Sequence, residues 1–366
     1  MSEQTKIAWC DSTINFWEGC TKVSAGCAYC YAEARDKRFT GGLHWGKGAP
    51  RRKSKSAVKD ALAYNKKPLV CDHCGTPQRG AVTMDEGCAN PACESHEYLS
   101  KLPSYHRRRI FSLSLGDWLD EEVPIEWLAE MLDTIRQCDQ VTWILCTKRP
   151  ENWHSRISAA INHCSDETGE WLEAWTDCRD MPERGDFPLN IILLASVENQ
   201  AAAEARLPAL FRIPAAAHGV SCEPLLGPVD LTKVLWSLPD GTQRHSENTL
   251  IENISDHARE CYPEVLKDLH PHKINWIIAG GESGPNARPC EVDWIRALKA
   301  QVEFSKGLNL NCSTAMFVKQ LGAAPIEPDP EHDWLPVPNI RDKKGGDPAE
   351  WPADLRVQEW PKGGAL

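Results

Sequence analysis

Short apolar runs rich in β-branched residues alternate along the chain with segments whose apolar positions recur every three or four residues. That alternation predicts parallel βαβ units. Residues 28–39 predict a helix, and 108–114 a strand running out into Leu115-Gly116-Asp117. Ile125, Leu128, Met131, Leu132 and Ile135 fall on one helical face. Residues 141–148 predict the next strand, and Pro150 suits the first turn of a helix reaching about residue 161. The strand runs 190–198, 219–226, 274–282 and 315–322 follow. Between them lie an Ala-rich helix over 200–211 and an amphipathic one carrying Val292, Ile295, Leu298 and Val302. Six or seven such units predict a full or partial TIM-like (β/α) barrel. Such barrels place their chemistry in the loops after the strands, here Ser114–Asp117, Thr147–Arg149, Ser196–Asn199, Glu223 and Gly280–Ser283.

The pattern also breaks. Residues 1–40 and 107–322 carry the barrel units, while 41–106 form a basic, Gly- and Pro-bearing insertion with paired cysteines. Residues 163–188 and 237–273 are polar insertions without a strong period, and 323–366 form an irregular Pro- and Trp-rich arm. There is no internal repeat.

Charge changes this picture more than length does. The 366 residues carry a net charge of −11, yet residues 1–110 hold 18 Lys/Arg against 11 Asp/Glu. The remaining chain is correspondingly acidic, so a basic first third predicts a polyanionic partner on that side. Lys47, Arg51, Arg52, Lys53, Lys55, Lys59, Lys66, Lys67 and Arg107–Arg109, with His44, Trp45 and Tyr105, would bind nucleic acid through phosphate contacts and stacking; the plainer reading is a solvated charge run. No run of about 18 apolar residues argues for a membrane span, and the polar start MSEQTKIAWC lacks a secretory core, so a cytoplasmic chain is expected.

In a reducing compartment, 16 cysteines point to metal or redox chemistry rather than disulfides. Cys71-x2-Cys74-x13-Cys88-x4-Cys93 has the spacing of a four-cysteine zinc ribbon, with Gly75 and Gly87 supplying permissive backbone at the knuckles. Free thiols, or iron on the same four ligands, are the alternatives. A closed site of this kind folds an insertion too small to bury its own core. Cys20-x6-Cys27-x2-Cys30 offers three thiolates without an evident fourth, which suits a four-iron (4Fe–4S) cluster with one iron open to a ligand. The alternative is a zinc or redox site completed by Cys10.

Trp17-Glu18-Gly19-Cys20 and Ser24-Ala25-Gly26-Cys27-Ala28-Tyr29-Cys30-Tyr31-Ala32 resemble the phage Gp37/Gp68-like family (DUF5131), itself similar to radical S-adenosylmethionine enzymes. The resemblance extends over Thr147–Pro150, Ser221-x-Glu223 to Pro228, Gly280–Gly284 and Phe317–Gln320. It implies a barrel of the radical S-adenosylmethionine type and a cluster whose fourth iron binds S-adenosylmethionine. One electron from the cluster, itself supplied by a separate electron donor, would cleave the sulfonium to methionine and a 5′-deoxyadenosyl radical. The basic first third, rather than the resemblance, suggests a nucleic acid or nucleotide as substrate. Tyr29 matches an aromatic position near the adenine. The six-residue spacing between Cys20 and Cys27 departs from the three-residue spacing common in the superfamily.

The resemblance implies roles at the strand ends. Ser114 and Asp117 are candidates for the methionine amino group. Gly280, Gly281 and Glu282 spell a motif that holds this amino group in relatives but lie after a late strand, so they serve another part of the cofactor or the substrate. Ser196, Glu198 and Asn199 are placed for the ribose, with Glu223 at the same level on the next strand. Lys148, Arg149 and Lys319 are candidates for a carboxylate or phosphate. Cys146 and Cys222 are candidate hydrogen-atom donors, although a lone strand cysteine is more often a small buried residue. Two other readings stand beside this one. The first is a non-catalytic, metal-stabilised nucleic-acid-binding protein. The second, a metal-dependent hydrolase, lacks His at any strand end.

Overall fold

The computed structural model describes residues 5–78, 88–90, 93, 105–177, 187–237, 244–247, 249–250, 273–308 and 314–361. Seven strands form one sheet in chain order: β1 (Ser12–Thr13), β2 (Arg109–Phe111), β3 (Thr142–Thr147), β4 (Ile191–Ser196), β5 (Ala217–Cys222), β6 (Ile274–Gly280) and β7 (Ala315–Gln320). Every neighbouring pair is parallel. The fold is mixed α/β, and the sheet curls into a half-barrel. The helices are α1 (Tyr31–Thr40), α2 (Ala57–Asn65), α3 (Ile125–Gln137), α4 (Trp153–Ile161), α5 (Asp166–Asp177), α6 (Gln200–Leu210) and α7 (Val292–Leu308). Among the described residues no helix is long and apolar enough to cross a membrane.

Alternation along the strands separates two apolar layers. Ile110, Trp143, Leu145, Leu193, Val220, Ile277 and Val318 face outward into the core shared with the helices. Phe111, Ile144, Ile192, Leu194, Trp276, Ile278 and Phe317 face inward and pack with Trp9 and Cys10. The inward series turns polar toward the C-terminal strand ends, where Cys146, Ser196, Ser221 and Lys319 line a cavity. That change places a polar cavity at one end of an apolar floor.

The C-terminal arm closes the flank beside β7. Val318 N–H donates to the Val357 carbonyl (2.8 Å), Glu359 N–H to Met316 (2.9 Å), and the Trp360 indole to the Trp9 carbonyl (3.1 Å). Arg109 lies over the Trp360 ring, 4.4 Å from its centroid. Trp360→Ala is expected to lower unfolding free energy by about 2–4 kcal/mol, as the ring is only half-buried, measured by denaturant titration.

Several elements differ from the sequence expectation. Helix α2 and helix α5 form inside segments read as irregular, because α2 packs through Ala57, Ala61 and Tyr64 at i, i+4 and i+7, and α5 buries Leu172 and Trp175. The arm is not wholly irregular: Pro325–Asp329 and Asp333–Pro336 form an antiparallel pair. Most of the 237–273 insertion lies outside the described residues.

Candidate functional site

The cavity has a volume of about 650 Å³ and is lined by all three cysteines of the first cluster motif, Cys20, Cys27 and Cys30. They sit on the segment between β1 and α1. Cys27 ends a single 3-10 turn, Ala25–Cys27, and Cys30 is the residue preceding the first turn of α1. Burial pushes the Cys30 thiol up, and the N–H groups of Glu33 and Ala32 in that first turn oppose the shift. Burial likewise pushes the Cys20 thiol up to about 12, with Asp117 adding to the effect and Arg149 opposing it. Cys10, considered as a fourth ligand, belongs instead to the inner apolar layer and points its thiol at the Ile7 carbonyl (3.9 Å).

A buried ion-pair network supports Cys20. Arg149 pairs with Asp117 (3.0 Å), donates to the Thr21 carbonyl (2.7 Å) and reaches the Cys20 sulfur (3.6 Å). Burial works against its charge, but Asp117 and Cys20 outweigh that and raise the guanidinium pKa. Asp117 also accepts from Thr147 Oγ1 (2.7 Å) and Lys148 N (2.9 Å). Its carboxylate is therefore filled by the protein and holds Arg149, rather than standing open to an amino group. Arg149→Ala is expected to cost about 3–5 kcal/mol because Asp117 stays buried without its partner. Adding Asp117→Asn recovers part of that loss in a double-mutant denaturation cycle.

The other candidates divide between the cavity wall and its supports. Ser114 lines the cavity, with its hydroxyl accepting from Asn15 Nδ2 (3.0 Å) and its carbonyl accepting from the Tyr31 hydroxyl. Tyr31 rather than Tyr29 lines the cavity, along with Trp9, Trp45 and Phe111; both tyrosines are about half exposed, and Tyr29 lies beneath Arg288. Ser196 accepts from Lys148 Nζ (2.9 Å), and Glu223 pairs with Lys319 (2.8 Å), all four lining the cavity.

Glu198 is buried against Arg206 (2.6 Å). Burial alone would raise its carboxyl, but hydrogen bonds from Arg206 and Ser24 hold it below the ordinary carboxylate range. Asn199 caps α6 by accepting from Ala202 N (3.0 Å). Gly280 and Gly281 allow β6 to meet the end of β7; a Cβ at Gly281 would come within 2.8 Å of Cys290 Cβ. Glu282 is buried and gripped by Arg288 through Nε (2.9 Å) and NH2 (2.6 Å). Cys146 lines the cavity, 3.5 Å from Ser196 Oγ. Cys222, expected near the barrel mouth, faces the opposite way: alternation places it in the outer core, where burial pushes its thiol far up.

The second cysteine set forms a separate site. Cys71, Cys74, Cys88 and Cys93 hold their sulfurs within 4.8 Å of one another, with Cys71–Cys93 at 3.9 Å and Cys74–Cys88 at 3.4 Å. A tetrahedral ion with bonds of about 2.3 Å needs sulfurs about 3.8 Å apart, so the set fits one zinc or iron ion. Gly75 takes φ +69 at the first knuckle, and Cys71 sits in a small antiparallel sheet of Leu69–Cys71, Pro77–Gln78 and Tyr105–Arg107. Gly87 lies outside the described residues. Among the described residues this is the one group of converging metal-ligand side chains. Cys20, Cys27 and Cys30 share a cavity without converging to that degree.

A family model described as "Protein of unknown function (DUF5131)" matches residues 4–329. The chain belongs to the DUF5131 family. No curated protein and no solved structure matches it significantly.

In this DUF5131 chain part of the basic patch is paired within the fold, while Lys47, Lys55, Lys59, Lys66 and Arg107 have no ion pair among the described residues. Arg51 is buried against Asp120 (2.9 Å) and Glu122 (3.0 Å), Arg52 pairs with Glu18, and Lys53 pairs with Glu130. Arg108 is buried over Tyr64, and Arg109 pairs with Asp11 (3.1 Å). Tyr105 packs against the four-cysteine set. Sequence counting could not separate these cations from free ones, since their partners lie 34 to 98 residues away for Arg52 and Arg109. The DUF5131 cavity also takes in residues that no motif marked. Asp342, Lys344, Gly346 and Asp347 from the arm line it, as do Thr5–Trp9. Arg206 and Arg288 were likewise missed, and only their eight- and six-residue offsets from Glu198 and Glu282 could have hinted at them.

Proposed function

We propose that this chain is an iron–sulfur enzyme of the radical S-adenosylmethionine type, built on a partial (β/α) barrel. One observation carries the reading: three cysteines from one short segment line a polar cavity at the C-terminal strand ends, without the close convergence that a single ion requires. A four-iron cluster binds each thiolate to a different iron, so its ligands stand farther apart than those of a lone zinc. The surroundings suit that donor set. N–H groups of α1 face Cys30, Arg149 faces Cys20, and Lys148 lies near Cys30, so positive charge offsets a thiolate-ligated cluster.

Loaded with S-adenosylmethionine on its open iron, the cluster would supply one-electron cleavage of the sulfonium. The protein's own groups would do the rest. Lys148, whose ammonium has Ser196 as its side-chain partner and no ion pair among the described residues, would take the carboxylate of a bound ligand. Tyr31 and the apolar floor would shield the reacting atoms from water. Cys146 stands on the wall as the thiol positioned to reach a bound substrate. The four-cysteine set is read as structural zinc, closed to substrate.

The nucleotide or nucleic-acid reading of the substrate keeps its place as an outcome of assay, with less support from Arg51, Arg52, Lys53, Arg108 and Arg109, which the fold itself engages. The test is product analysis. Anaerobically reconstituted protein with dithionite and S-adenosylmethionine is expected to release methionine and 5′-deoxyadenosine. Cluster-loaded protein that leaves S-adenosylmethionine intact would overturn the assignment.

A further inference from the structure

We propose that Arg288, fixed by Glu282, is a positioning residue that clamps the cysteine segment from across the barrel. The late Gly-Gly-Glu sequence thereby works through protein–protein contacts rather than by meeting a ligand directly. The segment between Cys20 and Cys30 carries little regular structure of its own. Its only helical structure is the turn Ala25–Cys27, closed by Cys27 N–H to the Ser24 carbonyl (3.0 Å) and Ala28 N–H to the Ala25 carbonyl (3.1 Å); besides this, Cys20 makes a single β-bridge with Trp45 and Lys22 Nζ donates to the Ala28 carbonyl (3.2 Å). A single 3-10 turn with no buried residue has little stability of its own. Its sulfur-bearing residues must be fixed from outside.

Arg149 does this at Thr21 and Cys20, and Arg288 does it at Ala25 and Tyr29. Glu282, 6% exposed, accepts from Arg288 Nε (2.9 Å), NH2 (2.6 Å) and backbone N (3.0 Å). This paired geometry leaves NH1 free to donate to the Ala25 carbonyl (3.0 Å), 263 residues away in sequence. The same guanidinium lies over the Tyr29 ring, 5.3 Å from its centroid. One side chain therefore touches the segment before Cys27 and again between Cys27 and Cys30.

A second grip faces it. Arg206 donates to Glu198 (2.6 Å) and to the Ser196 carbonyl (2.7 Å), which fixes the Glu198 carboxylate at the end of β4. A Cβ on Gly26 would stand 3.2 Å from Glu198 Cδ, so any larger residue there would push that carboxylate back by a few tenths of an ångström. Ser24, which hydrogen-bonds Glu198, also lies 3.9 Å from the Cys27 sulfur. The segment is thus held between the ends of β4 and β6, and Arg288 is the outer, releasable half of the grip.

The clamp acts in the chain before any metal is bound; its effect on iron retention rests on the cluster reading above. The test compares wild type, Arg288→Ala, Arg288→Lys and Arg296→Ala, the last breaking an ion pair with Asp354 elsewhere on the surface. In metal-free protein, hydrogen exchange at the Cys27 and Ala28 amides is expected to rise roughly tenfold in Arg288→Ala. Arg288→Lys should give an intermediate rise, and Arg296→Ala none. After anaerobic reconstitution, Arg288→Ala should retain less than about half the wild-type iron on desalting, with an altered spectrum of the reduced cluster. Unchanged exchange at Cys27 and Ala28 in Arg288→Ala, with the chain folded, overturns the clamp. Faster exchange in the variant while wild type binds no iron upholds the clamp and removes the cluster reading instead.

Discussion

Replacing Cys71 with Ser should release the metal from the four-cysteine site and unfold the small sheet that carries it. Among the described residues the apolar group around that site consists of the cysteines themselves with Tyr105, so little apolar packing replaces the ion once it is gone. Binding energies of structural zinc in comparable small modules are about 10–16 kcal/mol, far more than this sheet could replace. The half-barrel has its own two apolar layers and should survive. The expected result is loss of about one zinc per chain by elemental analysis. Proteolysis should then begin between Leu69 and Arg107, while the thermal transition of the barrel is retained. A variant that keeps its metal and its protease resistance would show that the fourfold thiol geometry is not the ligand set.

The second large effect concerns Cys20, Cys27 and Cys30. Changing all three to Ala should take iron from about four per chain to near zero after anaerobic reconstitution. Because they line a cavity rather than the core, the thermal midpoint of the metal-free protein should move by no more than about 2–4 °C. Zinc content should be unchanged. The contrast with Cys71→Ser is the point: one substitution removes structure and zinc, the other removes iron and leaves structure.

Much of this was legible in the sequence because it is local. Runs such as Ile191–Ser196 and Ile274–Gly280 are buried on both faces, so their apolar continuity marks them as strands without knowledge of their neighbours. The four-cysteine spacing predicts a site that the structure closes to within 4.8 Å. Strand β1 was not legible. Ser12 and Thr13 form a strand only by pairing with Ile110 and Phe111, about a hundred residues on. Helix α2 escaped because its buried face is mostly alanine, which carries little periodic signal.

The roles of the carboxylates were the least readable part. Asp117, Glu198 and Glu282 sit at strand ends as expected, but each is engaged by an arginine: Arg149, Arg206 and Arg288. A buried carboxylate requires such a partner, and folding rather than sequence spacing decides which cation provides it. Residues that looked like direct ligand contacts thus form a frame around the cysteine segment. The side chains that line the cavity include Ser114, Tyr31, Cys146, Lys148, Ser196, Glu223 and Lys319.

Under the proposed function the two cysteine sets hold different metals. Anaerobic elemental analysis combined with EPR of the dithionite-reduced protein tests it most directly, applied to wild type, the Cys20/Cys27/Cys30 triple variant and Cys71→Ser. Wild type should contain about four iron and one zinc per chain and give a reduced-cluster signal that S-adenosylmethionine perturbs. The signal should vanish only in the triple variant. Absence of iron from the reconstituted wild type, or iron that follows Cys71 instead of Cys20, Cys27 and Cys30, would contradict the account.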